Sequence, residues 1–217
     1  MKREIILTND GSSSLFVPEL NETYHSIHGA IAEAKHVFLK KGLDVVKNLK
    51  PVRIIEVGFG TGLNALLTLN KAIEENLKIE YTGLEKYPIT KDEIAAVNYA
   101  STLNSEENFQ LIHNCQWEAP QYITENFTLT KLKFDLEEDD LLGDFDLVYF
   151  DAFAPNKQAS MWTEKVFLKL YNQMTDNALL VTYCCQGQVK RTLKKVGFHV
   201  EKTDGPPGKR EMLVARK

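Results

Sequence analysis

The segment Ile54–Asn64 constrains the fold more than any other part of this 217-residue sequence. It reads IIEVGFGTGLN, so a short apolar run leads directly into Gly58, Gly60 and Gly62. Glycines at alternate positions let the backbone turn sharply and approach a ligand without interference from a Cβ atom. A helical pattern follows at once. The sequence therefore predicts a strand, a tight loop and a helix that together can receive a nucleotide-like cofactor.

Short apolar runs alternate with longer helical patterns from Pro51 onward. Helices are predicted at 65–75, 92–99, 163–174 and 188–195. Strands are predicted at 53–57, 79–84, 132–134, 146–150, 178–183, 198–202 and 212–216. Alternation of this kind specifies a Rossmann-like α/β fold whose mostly parallel, seven-stranded sheet is covered by helices on both faces. The last two strands are joined by Gly205–Gly208 without a helix, so we expect a C-terminal antiparallel strand.

Residues 1–50 are predicted to form an appendage of a β-hairpin and a helix, packed on a single globular domain at 51–217. Apolar residues 5–7 and 15–17 flank the turn signal at 9–11. Helical spacing then runs from about 30 to 49, with Gly42 as a possible break. The segment Ser101–Asp144 has the least regular pattern, and we expect an insertion of variable structure there.

The composition limits the possible binding partners and the cellular compartment of the protein. The chain has 26 basic and 30 acidic residues, a formal charge of −4, so any nucleic-acid binding must depend on a local basic surface. It has neither an apolar run of roughly 18 residues nor the long apolar segment of a secretory signal, so we expect a cytoplasmic protein without a membrane span. Three cysteines without CxxC spacing indicate reduced thiols.

Two carboxylates point to the type of cofactor. Glu56 ends the first strand just before a GxGxG loop, in which the third glycine of the dinucleotide pattern is displaced. This favours S-adenosylmethionine over NAD, because there is no pyrophosphate to hold and an acidic residue complements the cationic amino and sulfonium groups. Glu85 ends the second strand about 20 residues beyond the loop, where an acidic residue accepts hydrogen bonds from ribose hydroxyls. A tight turn without a ligand is the alternative.

Asp151 is the candidate for the chemistry. An apolar strand delivers it to its carboxyl end, and Ala152–Pro155 follows as a loop. Ligands of open α/β sheets bind outside the carboxyl ends of the strands, so Asp151 should face the same crevice as the glycine loop. There it would orient a substrate amine beside the methyl group and accept a proton. Alternatively, it caps the following turn.

Several motifs together resemble the methyltransferase domain of the tRNA 5-methylaminomethyl-2-thiouridine biosynthesis family, in the family's order and over nearly the whole chain. They are Tyr24-His25-Ser26, Gly29, Glu33, 37–39, 59–64, Glu85-Lys86-Tyr87-Pro88, 151–155, Met161-Trp162 and 209–213. Relatives often have Tyr-Phe-Ser at the first of these motifs. The resemblance implies a class I methyltransferase fold with S-adenosylmethionine as cofactor. It also implies methyl transfer to 5-aminomethyl-2-thiouridine at the wobble position of tRNA.

The resemblance also implies residue roles. Glu56 and the loop with Gly58, Gly60, Gly62 and Asn64 would hold the methionine part of the cofactor. Glu85, followed by Lys86, would hold the ribose, and Asp151 would be the central carboxylate. Asp135 is an expected adenine contact, although the sequence lacks the glycine that usually precedes it. Some family members carry a flavin-dependent oxidase domain; this chain resembles the stand-alone form, for which a separate enzyme would supply the aminomethyl group.

Candidate substrate contacts fall into two groups. Tyr24, Phe153 and Trp162 could stack on the uridine, or be core or rim residues. The basic candidates for tRNA phosphates are Lys190, Arg191, Lys194 and Lys195 at helical spacing, with Lys209 and Arg210 near the rim of the site. A solvated helix face is the alternative for them.

Other readings remain open at the level of sequence. An aminopropyltransferase or a small-molecule amine methyltransferase would use the same fold, and a non-catalytic binding module would keep the fold without the chemistry. NAD-dependent oxidoreduction fits the displaced glycine poorly. We expect no metal, because His25 and His28 before Glu33 match no recognised metal-site spacing.

Overall fold

A computed structural model describes residues 2–217, which form one sheet of eight strands and one of three. The strands are β1 (Glu4–Leu7), β2 (Ser13–Val17), β3 (Glu22–Thr23), β4 (Val52–Val57), β5 (Ile79–Glu85), β6 (Gln121–Thr124), β7 (Phe127–Lys133), β8 (Phe145–Phe150), β9 (Met174–Thr182), β10 (His199–Asp204) and β11 (Glu211–Arg216). The α-helices are α1 (Ala30–Ala34), α2 (Asp44–Val46), α3 (Leu63–Glu75), α4 (Lys91–Ala96), α5 (Tyr99–Thr102), α6 (Glu106–Asn114), α7 (Glu164–Asn172) and α8 (Gly187–Val196).

The large sheet has the strand order β10–β11–β9–β8–β4–β5–β7–β6. The five strands from β9 to β7 in this order are parallel to one another, and β11 pairs antiparallel with both β9 and β10. The predicted Rossmann-like, mostly parallel sheet with a C-terminal antiparallel strand is therefore confirmed. Within residues 2–217, no helix is long and apolar enough to cross a membrane.

The expected number of seven strands was wrong: the large sheet has eight, and the additional strand lies in the segment 101–144, where an insertion of variable structure was expected. This segment contains α6 and a β-hairpin, in which β6 pairs antiparallel with β7 as an eighth strand. The pattern was hidden because β7 buries Lys131, whose side chain is 1% exposed, among apolar residues. The Lys131 Nζ donates to the carbonyl of Ile112 at 2.8 Å and lies over the ring of Trp117. A satisfied buried lysine thus replaces an apolar residue of the strand.

The N-terminal part contains the predicted hairpin of β1 and β2, to which β3 adds a short third strand. The predicted helix is continuous from α1 through a π-helical stretch, Lys35–Leu43, into α2, so Gly42 does not break it. A Cβ at Gly42 would lie 3.2 Å from the side chains of Tyr149 and Val181. Gly42 therefore lets the helix pack closely against the large sheet.

Two apolar cores lie on opposite faces of the large sheet. Successive residues of β4 point to different cores, Ile54 to one and Ile55 to the other, and both are fully buried. Because its strands are buried on both faces, the sheet is built from nearly continuous apolar runs. The carboxyl ends of β4, β5 and β8 meet at one edge, where the candidate site lies.

Candidate active site

A cavity of about 280 Å³ lies at the carboxyl ends of the parallel strands. Its walls come from the glycine loop after β4, the residues after β5 and β8, and the segment after β3. Of the predicted site residues, the following line it: Tyr24, Gly58, Gly60, Asn64, Glu85, Lys86, Asp135, Asp151 and Phe153. The topology thus brings together residues from five separate parts of the chain.

The glycine loop requires glycine at two cavity-lining positions. Gly58 and Gly60 have φ angles of 88° and 49°, in the left-handed region that other residues rarely adopt. A Cβ at Gly58 would lie 2.6 Å from the carbonyl oxygen of Asp151, and one at Gly60 would lie 3.1 Å from the ring of Tyr24. The loop backbone therefore packs directly on Asp151 and Tyr24. Gly62, also left-handed at 72°, precedes α3 behind the cavity.

Glu85 connects β5 to the glycine loop. Its Oε2 accepts a hydrogen bond from the Gly60 backbone N–H at 2.9 Å, and its Oε1 accepts one from Tyr87 at 2.8 Å. Lys86 and Asp135 form an ion pair of 2.6 Å on the same side of the cavity. These contacts fix a carboxylate beside the loop while leaving further lone pairs for a ligand's hydroxyl groups.

Asn64 at the start of α3 joins two carboxyl groups. Its Nδ2 donates to Glu56 Oε1 at 2.8 Å and to Asp151 Oδ2 at 2.9 Å. Glu56 is fully buried, does not line the cavity and contacts the Tyr81 hydroxyl at 2.8 Å. Burial raises the pKa of Glu56 well above its ordinary value. The structure therefore places Glu56 behind Asn64, where it would reach a ligand only through that residue.

Asp151 is set up to change its protonation near neutral pH. Burial raises its pKa to about 7, and the nearby carboxylate of Glu33 adds to this effect. The hydrogen bond from Asn64 and the positive charge of Lys209 act in the opposite direction. Among residues 2–217, Asn64 is the side chain that donates to Asp151, and it uses Oδ2. The other carboxyl oxygen is thus free to receive a substrate.

The aromatic candidates divide into two kinds. The rings of Tyr24 and Phe153 line the cavity and meet edge to face, with centroids 5.2 Å apart. Trp162 does not line it: its side chain is 5% exposed, packs on Phe150 and donates from Nε1 to the Phe153 carbonyl. Stacking on a uridine would need the Trp162 ring at the cavity, so its observed contacts assign it to holding the Phe153 loop instead.

The basic candidates lie outside the cavity. Lys194 and Lys195 are exposed on α8, where Lys195 pairs with Glu164 at 2.7 Å. Arg210 is exposed on the β10–β11 loop, and its neighbour Lys209 forms an ion pair with Glu33 of α1. None of these four basic side chains therefore lies in direct contact with the glycine loop.

Among the cavity-lining residues that were not selected as site residues from the sequence are His25, Lys157 and Tyr183. Burial lowers the pKa of His25 to about 4, so its ring is neutral at pH 7. Tyr183 comes directly after β9, and this position at a strand end was the available signal. In the part of the chain described, no group of three or more His, Cys, Asp or Glu side chains could hold a metal ion.

The site fits a nucleoside cofactor with a cationic amino acid part. Asn64 Oδ1 is a buried acceptor without a partner among the described residues, on a side chain that lines the cavity. The ammonium of a methionine-type ligand is the kind of donor that it lacks. The glycine loop admits close approach, and the Glu85 carboxylate is placed for a ribose. A Rossmann-like sheet with this site defines the class of proteins that bind a nucleoside cofactor.

Comparison with known proteins specifies the family. The profile of a family described as S-adenosyl-L-methionine-dependent methyltransferase matches residues 95–217. The chain belongs to this family, and S-adenosylmethionine is its cofactor. This excludes the NAD-dependent reading and, by the family's description, favours methyl over aminopropyl transfer.

Several relatives share the whole length of this chain. The tRNA 5-methylaminomethyl-2-thiouridine biosynthesis bifunctional proteins MnmC of Burkholderia multivorans and Cupriavidus metallidurans are both 33% identical, over 95% and 98% of this chain. The chain spans about a third of their length, 33% and 34%. The crystal structure of MNMC2 from Aquifex aeolicus is similar with a TM-score of 0.83 and 29% identity, covering 99% of this chain and 70% of that one.

Proposed function

We propose that this protein transfers a methyl group from S-adenosylmethionine to the primary amine of 5-aminomethyl-(2-thio)uridine at the tRNA wobble position, giving the methylaminomethyl nucleoside. The observation that carries the proposal is the position of Asp151, which lines the cavity beside the glycine loop and has one carboxyl oxygen that accepts no hydrogen bond from the described side chains. The names of the relatives support the choice of nucleoside.

Asp151 has two tasks in this reaction. A primary alkylamine is mostly protonated at neutral pH, so it must lose a proton before its nitrogen can attack. Asp151, with a pKa of about 7, accepts that proton and holds the amine in line. The cofactor supplies a sulfonium methyl group, which passes to nitrogen while the electron pair of the broken C–S bond stays on sulfur, leaving S-adenosylhomocysteine and a secondary ammonium. Asp151 later releases its proton to solvent.

The aromatic side chains at the cavity explain how the base of the substrate nucleoside would be bound. A base at the wobble position must leave its stack to enter a cavity, and unstacked bases bind against aromatic rings. Tyr24 and Phe153 offer such rings at the cavity wall. Burial raises the pKa of Tyr24 to about 12, so its hydroxyl stays neutral. Exposed Lys194, Lys195 and Arg210 would contact phosphates of the tRNA outside the cavity.

We also propose how the two parts of the chain build the site, where the protein acts and which reaction supplies its substrate. Residues 1–50 form an appendage that supplies Tyr24 to the site in the main domain, 51–217, and the protein acts in the cytoplasm on tRNA. A separate enzyme supplies the aminomethyl group by a reaction that uncovers a primary amine. No step needs a metal ion, because the substrate nitrogen is itself the nucleophile once deprotonated.

The test is methyl transfer from labelled S-adenosylmethionine to tRNA carrying 5-aminomethyluridine at the wobble position, followed by nucleoside mass analysis. The matched control is the same tRNA with unmodified wobble uridine. We expect a gain of one methyl group on the aminomethyl nucleoside alone. Methylation of free alkylamines but not of this tRNA would replace the proposal with a small-molecule methyltransferase, and cofactor binding without any transfer would favour a binding module.

A further inference from the structure

A partly buried ion pair connects α1 to the loop between β10 and β11 beside the candidate site. The Nζ of Lys209, on the loop between β10 and β11, lies 2.6 Å from Oε1 of Glu33 on α1. The Glu33 side chain is only 9% exposed, and its Oε2 accepts a hydrogen bond from the backbone N–H of Ser26 at 2.8 Å. Both carboxylate oxygens of Glu33 are therefore engaged, and the position of the lysine is defined.

The pair is also fixed relative to the active-site loop. Lys209 Nζ lies over the ring of Tyr183, 4.0 Å from its centroid, which is a favourable cation–π distance. The Tyr183 hydroxyl donates to the carbonyl oxygen of Ala152 at 2.9 Å, one residue after Asp151. Tyr183 lines the cavity, whereas Glu33 and Lys209 do not. The ion pair thus lies behind Tyr183 and forms no part of the cavity wall.

The two charges act on Asp151 in opposite directions. Glu33 disfavours the charged form of Asp151, and Lys209 favours it. From the other elements packed around it, Asp151 also interacts with Glu56 behind Asn64 and with the neutral hydroxyls of Tyr81, Tyr99 and Tyr183. Burial of Asp151 has the largest effect on its pKa and the carboxylate of Glu33 the next largest. A pair that holds one anion and one cation in place can therefore set the protonation of a third group.

We propose that Glu33 is a positioning residue that holds the Lys209 ammonium against Tyr183, and that this ion pair, fixed to the Ala152 carbonyl through the Tyr183 hydroxyl, supplies the charged surroundings in which Asp151 accepts the proton of the substrate amine. This inference deepens the proposed function and depends on it for the identity of the proton donor. Neither residue touches the reacting atoms. Their effect on the reaction is carried by the charge that they place beside Asp151.

The first test measures the protonation of Asp151 directly by NMR and requires no enzymatic activity. The protein is labelled with ¹³C at the aspartate carboxyl groups, the Asp151 resonance is assigned with Asp151→Asn, and its titration midpoint is measured. We expect Glu33→Gln to lower the midpoint and Lys209→Met to raise it, each by about half to one pH unit. Lys209→Arg, which keeps the cation, should restore a midpoint near that of the wild type.

A matched control lies on the same hairpin. Lys202 pairs with Glu211 at 2.6 Å on the exposed side of β10 and β11, so Lys202→Met removes a similar ion pair and should leave the Asp151 midpoint unchanged. An unmoved midpoint in folded Glu33→Gln and Lys209→Met would overturn the inference. An equal shift in Lys202→Met would do so as well, since any charge on the hairpin would then suffice.

The second test follows the pH dependence of kcat. The acid limb should move to lower pH in Glu33→Gln and to higher pH in Lys209→Met, matching the shifts seen by NMR. A uniform loss of kcat with an unmoved acid limb would assign the pair a purely structural role and contradict the inference. If the wild type fails to methylate the aminomethyl tRNA, the proposed function fails, while the NMR midpoints still decide whether Glu33 and Lys209 act on Asp151.

Discussion

Asn64 Nδ2 donates a hydrogen bond to Asp151 Oδ2 at 2.9 Å, and so joins the start of α3 to the end of β8. The same nitrogen donates to Glu56 at 2.8 Å, so both amide hydrogens of Asn64 are used between two carboxyl groups. This contact fixes one oxygen of Asp151 and leaves the other for substrate. It also supplies the hydrogen bond that favours the charged form of Asp151.

Replacing Asn64 with alanine should change the pH dependence of the reaction. Loss of its hydrogen bond removes stabilisation of the Asp151 carboxylate, so the pKa of Asp151 rises above about 7. The acid limb of the pH profile of kcat should then move up by about half to one pH unit. Asn70→Ala makes the same change on the same helix, away from the cavity, and should leave the limb in place. An unmoved limb in Asn64→Ala would refute this role.

Asp151→Asn should stabilise the protein at high pH. The pKa of Asp151 is raised from 3.8 to about 7 on folding, so between these values the folded state holds a proton that the unfolded state has lost. The free energy of unfolding of the wild type therefore falls as pH rises through this window. A shift from 3.8 to about 7 corresponds to about 4 kcal/mol, so we expect Asp151→Asn to gain up to about 4 kcal/mol at pH 8 and nothing near pH 3.

Thermal unfolding of both proteins at several pH values measures this effect. The exposed residue Asp140 provides the control, since Asp140→Asn makes the same chemical change outside the interior. A gain that is equal at pH 3 and pH 8 would show that the stabilisation does not come from titration of Asp151.

Gly58→Ala should damage the cofactor site more than its backbone strain alone explains. Gly58 and Gly11 have similar φ angles, 88° and 81°, but a Cβ at Gly58 would meet the Asp151 carbonyl oxygen at 2.6 Å while one at Gly11 has open space. Both substitutions should cost about 1–2 kcal/mol from left-handed strain. Calorimetry should show a loss of S-adenosylmethionine affinity in Gly58→Ala only; equal affinity in both variants would contradict the assigned loop role.

The basic surface of α8 is tested with tRNA binding. Changing Lys194 and Lys195 to glutamine should weaken binding and reduce the salt dependence of the affinity, because fewer phosphates are neutralised. The matched control changes Lys50 and Lys78, two exposed lysines just before β4 and β5, at the edge of the sheet that lies opposite the cavity. Equal effects in the two double variants would mean that α8 is not the binding surface.

Most of the fold could be predicted from the sequence, because pronounced apolar runs mark the buried strands. Strands β4, β5, β8 and β9 were predicted within a few residues, and the glycine loop located the site. Strand β6 and most of β7 were missed because β6 is a short edge strand and β7 includes Lys131, whose burial depends on carbonyls of α6 and the ring of Trp117. Such tertiary compensation has no local signal in sequence.

The site was predicted less completely than the fold. Asp151, Asn64 and Glu85 follow from their positions at the ends of elements and do line the cavity. The sequence pattern could not show that Glu56 lies behind Asn64 or that the Trp162 side chain is buried in the core. Both positions depend on which of several neighbouring side chains faces the cavity in the folded protein. Burial and orientation of this kind are decided by packing between distant segments.

The most direct test of Asp151 as proton acceptor is single-turnover methyl transfer by Asp151→Asn, with S-adenosylmethionine bound and the aminomethyl tRNA in excess. Asparagine keeps the size of the side chain and the contact with Asn64 but cannot take a proton. We predict a rate loss of about 10²–10⁴-fold, with cofactor affinity changed by no more than about threefold. A rate within a few-fold of the wild type would contradict the central role of Asp151.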